Sequence, residues 1–169
     1  EYLAEAPTHE VTLINGLGTH RPNTAAELDR MLTPQVTQKY HVLNHEPENA
    51  NALIPLGTTA DGTPVLLNHH LVNADVRIIT GFIEPHFFAG FSGGPKGIVP
   101  GVAGLKTIMS NHGSRNLSSP NAGFGITEGN PLYTGGYTQV RLDVSQFNDG
   151  NLHVLRFEAD TSGFLQTAM

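Results

Sequence analysis

The segment Gly81–Gly104 constrains this chain more than any other, because it is too rich in glycine and proline to form a long helix or strand. It holds seven glycines and three prolines in 24 residues. Glycine adopts backbone conformations closed to other residues and proline lacks a backbone donor, so both mark loops and turns. The whole chain has 19 Gly and 11 Pro among 169 residues, and 14% charged residues. We therefore expect a loop-rich domain whose functional groups lie on loops.

Short apolar strands and a capped helix flank this segment and predict an α/β domain. Val11–Ile14 has strand character and runs into a Gly-rich loop at residues 15–22. Thr24 and Glu27 have the spacing of a capping box that opens a helix through about Leu32. Further strands are predicted at Tyr40–Leu43, Leu53–Leu56, Pro64–Leu67 and Val76–Thr80. The turn signal Asp61-Gly62-Thr63 predicts a hairpin or β-excursion that ends in Pro64–Leu67. A further helix is predicted from about Val102 or Gly104 to Ser110. This order predicts a mixed sheet with flanking helices, in which Gly-rich loops at strand ends form the site.

The composition changes near residue 133, where we place a domain boundary. Residues 114–131 are rich in Gly, Ser, Asn and Pro and are expected to form an ordered loop. Beyond residue 133 the sequence alternates at 138–144 and 152–158, on either side of a hairpin-turn signal at 148–151. The prediction is a domain over residues 1–133 followed by a β-rich tail over residues 134–169.

Charge and motif content exclude several classes of protein. The net charge is −6 and Lys and Arg form no cluster that could follow a phosphate backbone, which argues against nucleic-acid binding. No apolar run approaches the roughly 18 residues of a membrane span. The chain has no cysteine and so no disulfide framework. The first strand is not followed by Gly-x-Gly-x-x-Gly, which argues against an ordinary dinucleotide-binding dehydrogenase.

Histidine and one lysine are the residues most suited to chemistry. The chain has nine histidines, as many as Lys and Arg together. His86 has aromatic and small apolar neighbours, so partial desolvation should lower its pKa and keep it neutral, ready to act as a base. Lys96 stands in Gly-Gly-Pro-Lys-Gly, where its ammonium has little steric cover and could approach a ligand closely. Alternatively, His86 is a half-buried packing residue and Lys96 a solvated lysine or a simple phosphate contact.

Other polar residues on the same kind of loop have open alternatives. His20 follows the first strand, at the sheet edge where α/β proteins bind ligands, but could be a plain loop residue. His112 could be a ligand, or a helix-end histidine that interacts with the helix dipole. Arg21 could grip a substrate carboxylate as a fork or fix its own loop. His69 and His70 are adjacent and should point to different sides, so a joint metal site there is disfavoured. Ordinary surface or packing roles are expected for His9, His41, His45 and His153.

Several blocks of the sequence resemble the nickel-dependent lactate racemase family. The blocks are Gly18-Thr19-His20-Arg21-Pro22, residues 81–96, Pro100-Gly101, Asn111-His112 and residues 125–131. The resemblance covers about residues 10–132, and the second block is long and specific. It implies a domain that is incomplete, because the family has a further N-terminal stretch and a large C-terminal domain that closes over the site.

The resemblance implies a cofactor and a role for each of four residues. The cofactor is a nickel-pincer nucleotide, pyridinium-3-thioamide-5-thiocarboxylic acid mononucleotide, which grips nickel through sulfur, carbon and sulfur. By resemblance, Lys96 is linked to it covalently and His112 completes a near-square-planar nickel, a geometry and ligand that suit Ni(II). His20 and His86 are the two acid/base residues.

The function implied is racemisation or epimerisation of a 2-hydroxy acid, with lactate as the default substrate. Hydride and proton leave the substrate together and return through a planar 2-oxo acid. The resemblance further implies a cytoplasmic enzyme served by cofactor-biosynthesis proteins of its host. The alternative is a non-catalytic or inactive fragment that binds nickel or a nucleotide.

Overall fold

The structure is a computed structural model that describes residues 11–132. It opens with a parallel strand pair, β1 (Thr12–Asn15) and β2 (His41–Asn44), joined by helices α1 (Ala25–Leu32) and α2 (Pro34–Lys39). Both strands and the first helix lie where the sequence predicts them. A crossover between parallel strands needs a dozen or more residues, and the two helices fill it.

Local sequence signals explain where these two helices begin. Thr24 accepts a hydrogen bond from the backbone N–H of Glu27 at 3.3 Å, and the Glu27 carboxylate accepts one from the Thr24 N–H at 2.8 Å. This is the predicted capping box, and it satisfies two donors that a helix start leaves unpaired. The second helix starts on Pro34, whose missing N–H costs nothing at a first helical position.

One strand of an antiparallel hairpin, the segment that follows Lys96 and one helix build the hydrophobic core. The hairpin pairs β3 (Leu53–Thr58) with β4 (Pro64–Asn68), as predicted, and carries an irregularity between Pro55 and Gly57. Short helix α3 (His69–Asn73) follows directly, and α4 (Leu105–Asn111) packs on β4. The buried apolar side chains that form the core are Val65, Leu67, Ile98, Val102, Ala103 and Ile108. Since Ile98 and Val102 belong to it, the chain just beyond Lys96 is anchored in the core.

A third small sheet carries the turn on which His86 lies. Strand β6 (Ala89–Phe91) pairs antiparallel with β5 (Pro85–His86) and parallel with β7 (Gly123–Phe124). The α/β class with mixed pairing is therefore confirmed. Within residues 11–132 the strands form three small sheets, of two, two and three strands.

The strand predicted at Val76–Thr80 is wrong. These residues are irregular, and Val76 and Ile78 are 72% and 60% exposed. β-Branched residues favour a strand, but its stability comes from cross-strand pairs, and no strand of the described range pairs here. The Arg77 guanidinium instead donates to the backbone carbonyls of Leu71 and Val72, at 2.7 Å each.

The predicted loop over residues 114–131 is partly regular. Its start forms the short helix α5 (Ser114–Leu117), and Gly123–Phe124 is the strand β7. A sequence rich in Gly, Ser and Asn predicts neither element, because contacts with other segments stabilise them and residue propensity does not. The predicted tail over residues 134–169, with its hairpin turn at 148–151, lies outside the described residues. No helix of the described range is long and apolar enough to cross a membrane.

Gly90 provides a test of the third sheet. It has φ +74°, and an added Cβ would lie 2.2 Å from the carbonyl oxygen of Ile126, whereas Gly125 has φ +71° and open space. Gly90→Ala should lower the free energy of unfolding by about 2–5 kcal/mol, from the left-handed backbone and the overpacking together. Gly125→Ala should lower it by only about 1–2 kcal/mol. Urea denaturation of both variants checks this, and equal losses would contradict the close approach of the two backbones.

Candidate functional site

Lys96 lies in a tight turn that is fixed at both ends. The 3-10 turn Gly94–Gly97 is closed by the Lys96 N–H, which donates to the Gly93 carbonyl at 3.2 Å. The Lys96 carbonyl accepts from the Gly101 N–H at 3.0 Å. A Cβ on Gly101 would lie 2.3 Å from the Gly97 carbonyl oxygen, so this return of the chain requires glycine. The sequence places the lysine on a loop, and the structure shows that backbone hydrogen bonds hold the loop on both sides of Lys96.

Lys96 is half-buried, unlike the exposed Lys39 and Lys106. Burial lowers the pKa of its ammonium below the ordinary lysine value, because a low-dielectric environment disfavours the charged form. This is the environment in which a lysine amine becomes a better nucleophile.

The loop that bears His20 packs against the loop that bears Lys96. The Gly18 N–H donates to the Gly101 carbonyl at 2.9 Å, and Pro100 lies next to Gly18. The His20 N–H donates to the Leu17 carbonyl at 3.0 Å, which closes a turn, and the His20 side chain is exposed. The structure thus brings the two loops together at the carboxyl end of β1, as the sequence predicts for His20.

His86 begins the turn between β5 and β6 and is half-buried, as its neighbours in the sequence predict. Its ring stacks on Phe87, with centroids 4.7 Å apart and planes at 11°, and meets Phe88 edge-on at 5.7 Å. Burial lowers the pKa of His86, and the charges of Lys96 and His112 lower it further, against a smaller opposing effect of Glu84. Burial and the charges of Lys96 and His112 each favour the neutral imidazole over the charged one.

His112 caps the C-terminus of α4 and faces the same group of charges. Its Nδ1 lies 3.2 Å from the Ile108 carbonyl oxygen, and the side chain is half-buried. Burial lowers the pKa of His112 and Lys96 lowers it further, while the hydrogen bond to Ile108 opposes both. The charge of Lys96 thus acts on both His86 and His112, and His20 lies on the loop that packs against the Lys96 loop.

Asn130 supports the His86 turn and is a residue to which the sequence gives no role. Its side-chain amide donates to the carbonyls of Phe88 and Ile126, at 2.8 Å each, and the residue is buried. It therefore joins the turn to the segment that follows β7. The signal in the sequence is its place within the block at residues 125–131.

Arg21 is held by an ion pair rather than presented to a ligand. Its guanidinium donates to the two carboxylate oxygens of Glu27, at 2.7 and 2.9 Å. This bidentate contact and the charge of Arg21 hold the pKa of Glu27 far below its usual range. Of the two roles considered for Arg21, the structure favours the one in which it fixes its own loop to α1.

Three histidines cluster away from these residues. The rings of His69 and His70 lie 4.0 Å apart, so the prediction that adjacent residues point to different sides is wrong here. Both residues belong to the short helix α3, and His41 meets His70 edge-on at 5.8 Å. Burial lowers the pKa of His70, and the neighbouring His69 and His41 lower it further. Across residues 11–132, no three His, Cys, Asp or Glu side chains are placed to hold a metal ion.

Comparison with known proteins decides which family has this arrangement. Residues 1–125 match the family described as the lactate racemase N-terminal domain. The chain belongs to this family. A lactate racemase from Thermoanaerobacterium thermosaccharolyticum is 36% identical to this lactate racemase N-terminal domain over 123 residues, which are 73% of the chain and 29% of that protein. A lactate racemase from Lactiplantibacillus plantarum is 34% identical over 128 residues, 76% of the chain and 30% of that protein.

Solved structures agree with the family assignment. The lactate racemase apoprotein from T. thermosaccharolyticum superposes with a TM-score of 0.71 at 35% identity, over 73% of this chain and 30% of that one. A protein from Thermotoga maritima superposes with a TM-score of 0.59 at 27% identity, over 72% of this chain and 32% of that one. This lactate racemase N-terminal domain thus spans about 30% of the length of the relatives that it matches.

Proposed function

We propose that this domain is the cofactor-carrying part of a racemase or epimerase of 2-hydroxy acids, with lactate as the default substrate. The observation that carries the proposal is the half-buried Lys96, on a loop that packs against the His20 loop and with a charge that acts on His86 and His112, in a chain whose relatives are lactate racemases. The remaining parts of a full-length relative would complete the site and bind the rest of the substrate.

The residues present fit the nickel-pincer nucleotide. Burial lowers the pKa of Lys96, which favours the neutral amine needed for a covalent link. The Ile108 carbonyl can only accept a hydrogen bond, so Nδ1 of His112 is the protonated nitrogen and Nε2 keeps its lone pair. Metal-binding histidines commonly donate their second N–H to a backbone carbonyl in this way. We therefore assign Lys96 to attachment of the cofactor and His112 to nickel; when bound, the group supplies a hydride acceptor.

His20 and His86 are suited to accept and return the proton that must move with the hydride. The α-hydrogen of a 2-hydroxy acid is too weakly acidic for an imidazole to remove, because the adjacent carboxylate already carries charge. Loss of the hydroxyl proton makes the C–H bond easier to break as hydride. We assign His20 and His86 to this hydroxyl group, since they lie on separate loops that adjoin Lys96.

The isotope at C2 of the substrate tests the proposal. Full-length protein should be prepared in a host that makes the cofactor, and then given L-lactate deuterated at C2 in ordinary water. We expect racemic lactate that retains deuterium at C2, because hydride does not exchange with water. The control is the same protein from a host without the cofactor pathway, which should not racemise lactate.

Two results would overturn this proposal. Loss of deuterium to solvent would show proton abstraction at C2 and contradict the hydride route. A protein that carries cofactor and nickel but racemises no 2-hydroxy acid would instead be a binding module.

A further inference from the structure

The buried Asn130 joins three segments of backbone around the turn that carries His86. Its side-chain amide donates to the carbonyl oxygens of Phe88 and Ile126, at 2.8 Å each, and its own carbonyl oxygen accepts from the Leu132 N–H at 2.9 Å. An asparagine side chain has two donor hydrogens and one acceptor oxygen. The residue is only 6% exposed, and both ends of its amide bond to backbone. Asn130 therefore holds backbone in place and does not face a ligand.

One peptide group connects Asn130 to the imidazole of His86. The Phe88 carbonyl that accepts from Asn130 shares its peptide plane with the Ala89 N–H, and this N–H donates to Nδ1 of His86 at 3.2 Å. Because the peptide is planar, a bond that fixes its carbonyl oxygen also fixes the direction of its N–H. The Phe88 N–H donates to the same Nδ1 at 3.2 Å. A continuous path of hydrogen bonds thus runs from Asn130 to the ring, and its members polarise one another.

This path determines which edge of the His86 ring faces the turn. Nδ1 is directed at the two backbone donors, so Nε2 points away from them. Phe87 covers one face of the ring and Phe88 meets it edge-on. Without the Asn130 amide, the Phe88 carbonyl would lose a donor in a half-buried position and its peptide group would be less restrained. The direction of Nε2 would then vary.

We propose that Asn130 is a positioning residue that orients His86 for exchange of the hydroxyl proton of the substrate. This inference rests on the proposed racemase function, in which His20 and His86 both exchange that proton. Asn130 acts through the peptide group between Phe88 and Ala89 and does not touch the substrate. Proton transfer requires a hydrogen-bond distance between the ring nitrogen and the hydroxyl group, and a misplacement of about 1 Å can cost about 10²-fold in rate. Loss of the Asn130 amide should therefore slow turnover although both acid/base histidines remain.

Amide hydrogen exchange, followed by NMR on the whole chain, tests the path without cofactor or substrate. Asn130→Asp has nearly the same shape and keeps an acceptor for the Leu132 N–H, but its carboxylate has no donor for the Phe88 and Ile126 carbonyls. We expect the Phe88 and Ala89 amides to exchange about tenfold faster in this variant, which corresponds to the loss of one ordinary hydrogen bond.

Asn116→Asp is the matched control for this exchange experiment. Asn116 is also buried, at 7% exposed, and its side-chain amide donates to the Asn111 carbonyl at 2.8 Å, at the end of α4. This variant should leave the exchange of the Phe88 and Ala89 amides unchanged. If the two variants accelerate these amides equally, or if Asn130→Asp leaves them as in the wild type, the path is wrong and the racemase proposal is untouched.

Turnover by the cofactor-loaded, full-length protein tests the consequence for catalysis. At about pH 8, Asn130→Asp should lower kcat about 10- to 10²-fold, with KM and bound nickel within about twofold of the wild type, because the residue contacts neither substrate nor metal. A merely structural role would instead lower the amount of folded, nickel-loaded protein and leave kcat per bound nickel unchanged.

The pH dependence of kcat in the same variant adds a readout that only the donor role predicts. Burial and two facing carbonyl oxygens should raise the pKa of the new carboxyl above its ordinary value, and below that pKa the protonated carboxyl can again donate to the Phe88 carbonyl. The kcat of Asn130→Asp, as a ratio to the wild type at the same pH, should therefore rise as the pH falls from about 8 to about 6.

Asn130→Ala completes the test, because it has no group to protonate. Its kcat ratio to the wild type should be low and independent of pH, and it replaces Asn130→Asp in the exchange experiment if the aspartate variant does not fold. Wild-type kcat per bound nickel in both folded variants would overturn the positioning role. Absence of racemisation by the loaded wild type would instead contradict the proposed function.

Discussion

Lys96→Ala is expected to abolish covalent addition of the cofactor while the domain stays folded. The lysine is anchored through its backbone, by the bonds of Lys96 N–H to Gly93 and of the Lys96 carbonyl to Gly101, and these survive truncation of the side chain. Its amine has no substitute nearby that is equally buried, since Lys39 and Lys106 are exposed. Intact-mass analysis of protein from a host that makes the cofactor should show the unmodified mass, and racemisation should fall below detection.

Lys106→Ala is the matched control for that experiment. It removes an exposed lysine from α4, the helix that ends beside His112, and should leave the adduct and the activity unchanged. An adduct that persists on the Lys96→Ala variant would exclude Lys96 as the attachment point. Loss of the adduct in both variants would mean that addition depends on the surface of the domain rather than on this amine.

His112→Ala is expected to lose nickel, whereas His20→Ala and His86→Ala should both keep nickel and lose turnover. His112 offers a lone pair on Nε2, and no other ligand set is placed for a metal within residues 11–132. His20 is exposed on the adjoining loop, where it can act on the substrate without holding the metal. Removal of a general base costs about 10²–10⁴-fold in rate. Nickel content by mass spectrometry and racemisation rate should be measured together on full-length variants.

His70→Ala controls for binding of nickel by surface histidines. His70 belongs to the cluster with His69 and His41, the next place to look for a ligand. It should retain the nickel and the turnover of the wild type. If His112→Ala keeps its nickel and His70→Ala loses it, the assignment of the ligand to α4 is wrong. If His20→Ala and His86→Ala both retain wild-type turnover, the assignment of two acid/base histidines is wrong.

The parts of the fold that the sequence predicts are those with short-range causes. The capping box of Thr24 and Glu27 starts α1, and the Asp61-Gly62-Thr63 turn leads to the β3–β4 hairpin. Helix α2 was missed, although Pro34 at its first position is a start signal. The strand predicted at Val76–Thr80 is wrong because a strand also needs a partner. Its β-branched residues favour a strand, but no strand of the described range pairs with them.

For the site, the sequence identifies residue types but not their protonation or partners. The apolar neighbours of His86 predict its burial, and the glycines around Lys96 predict an exceptional loop. Nδ1 of His86 accepts hydrogen bonds from the backbone N–H groups of Phe88 and Ala89, and these donors have no side-chain signature in the sequence. The contact of Arg21 with Glu27 joins a loop to a helix, so no regular spacing reveals it. Both contacts depend on the folded positions of loops, which the local sequence does not specify.

Tryptic mapping of the cofactor-loaded protein shows directly whether Lys96 carries the cofactor. Trypsin should cut the apoprotein after Arg77, Lys96 and Lys106, giving peptides 78–96 and 97–106. A lysine whose amine is linked to the cofactor is no longer a trypsin site. With the cofactor linked to Lys96, we expect a single peptide 78–106 that carries the added mass. Cleavage after Lys96 in the loaded protein, with the added mass on a peptide containing Lys39 or Lys106, would contradict it.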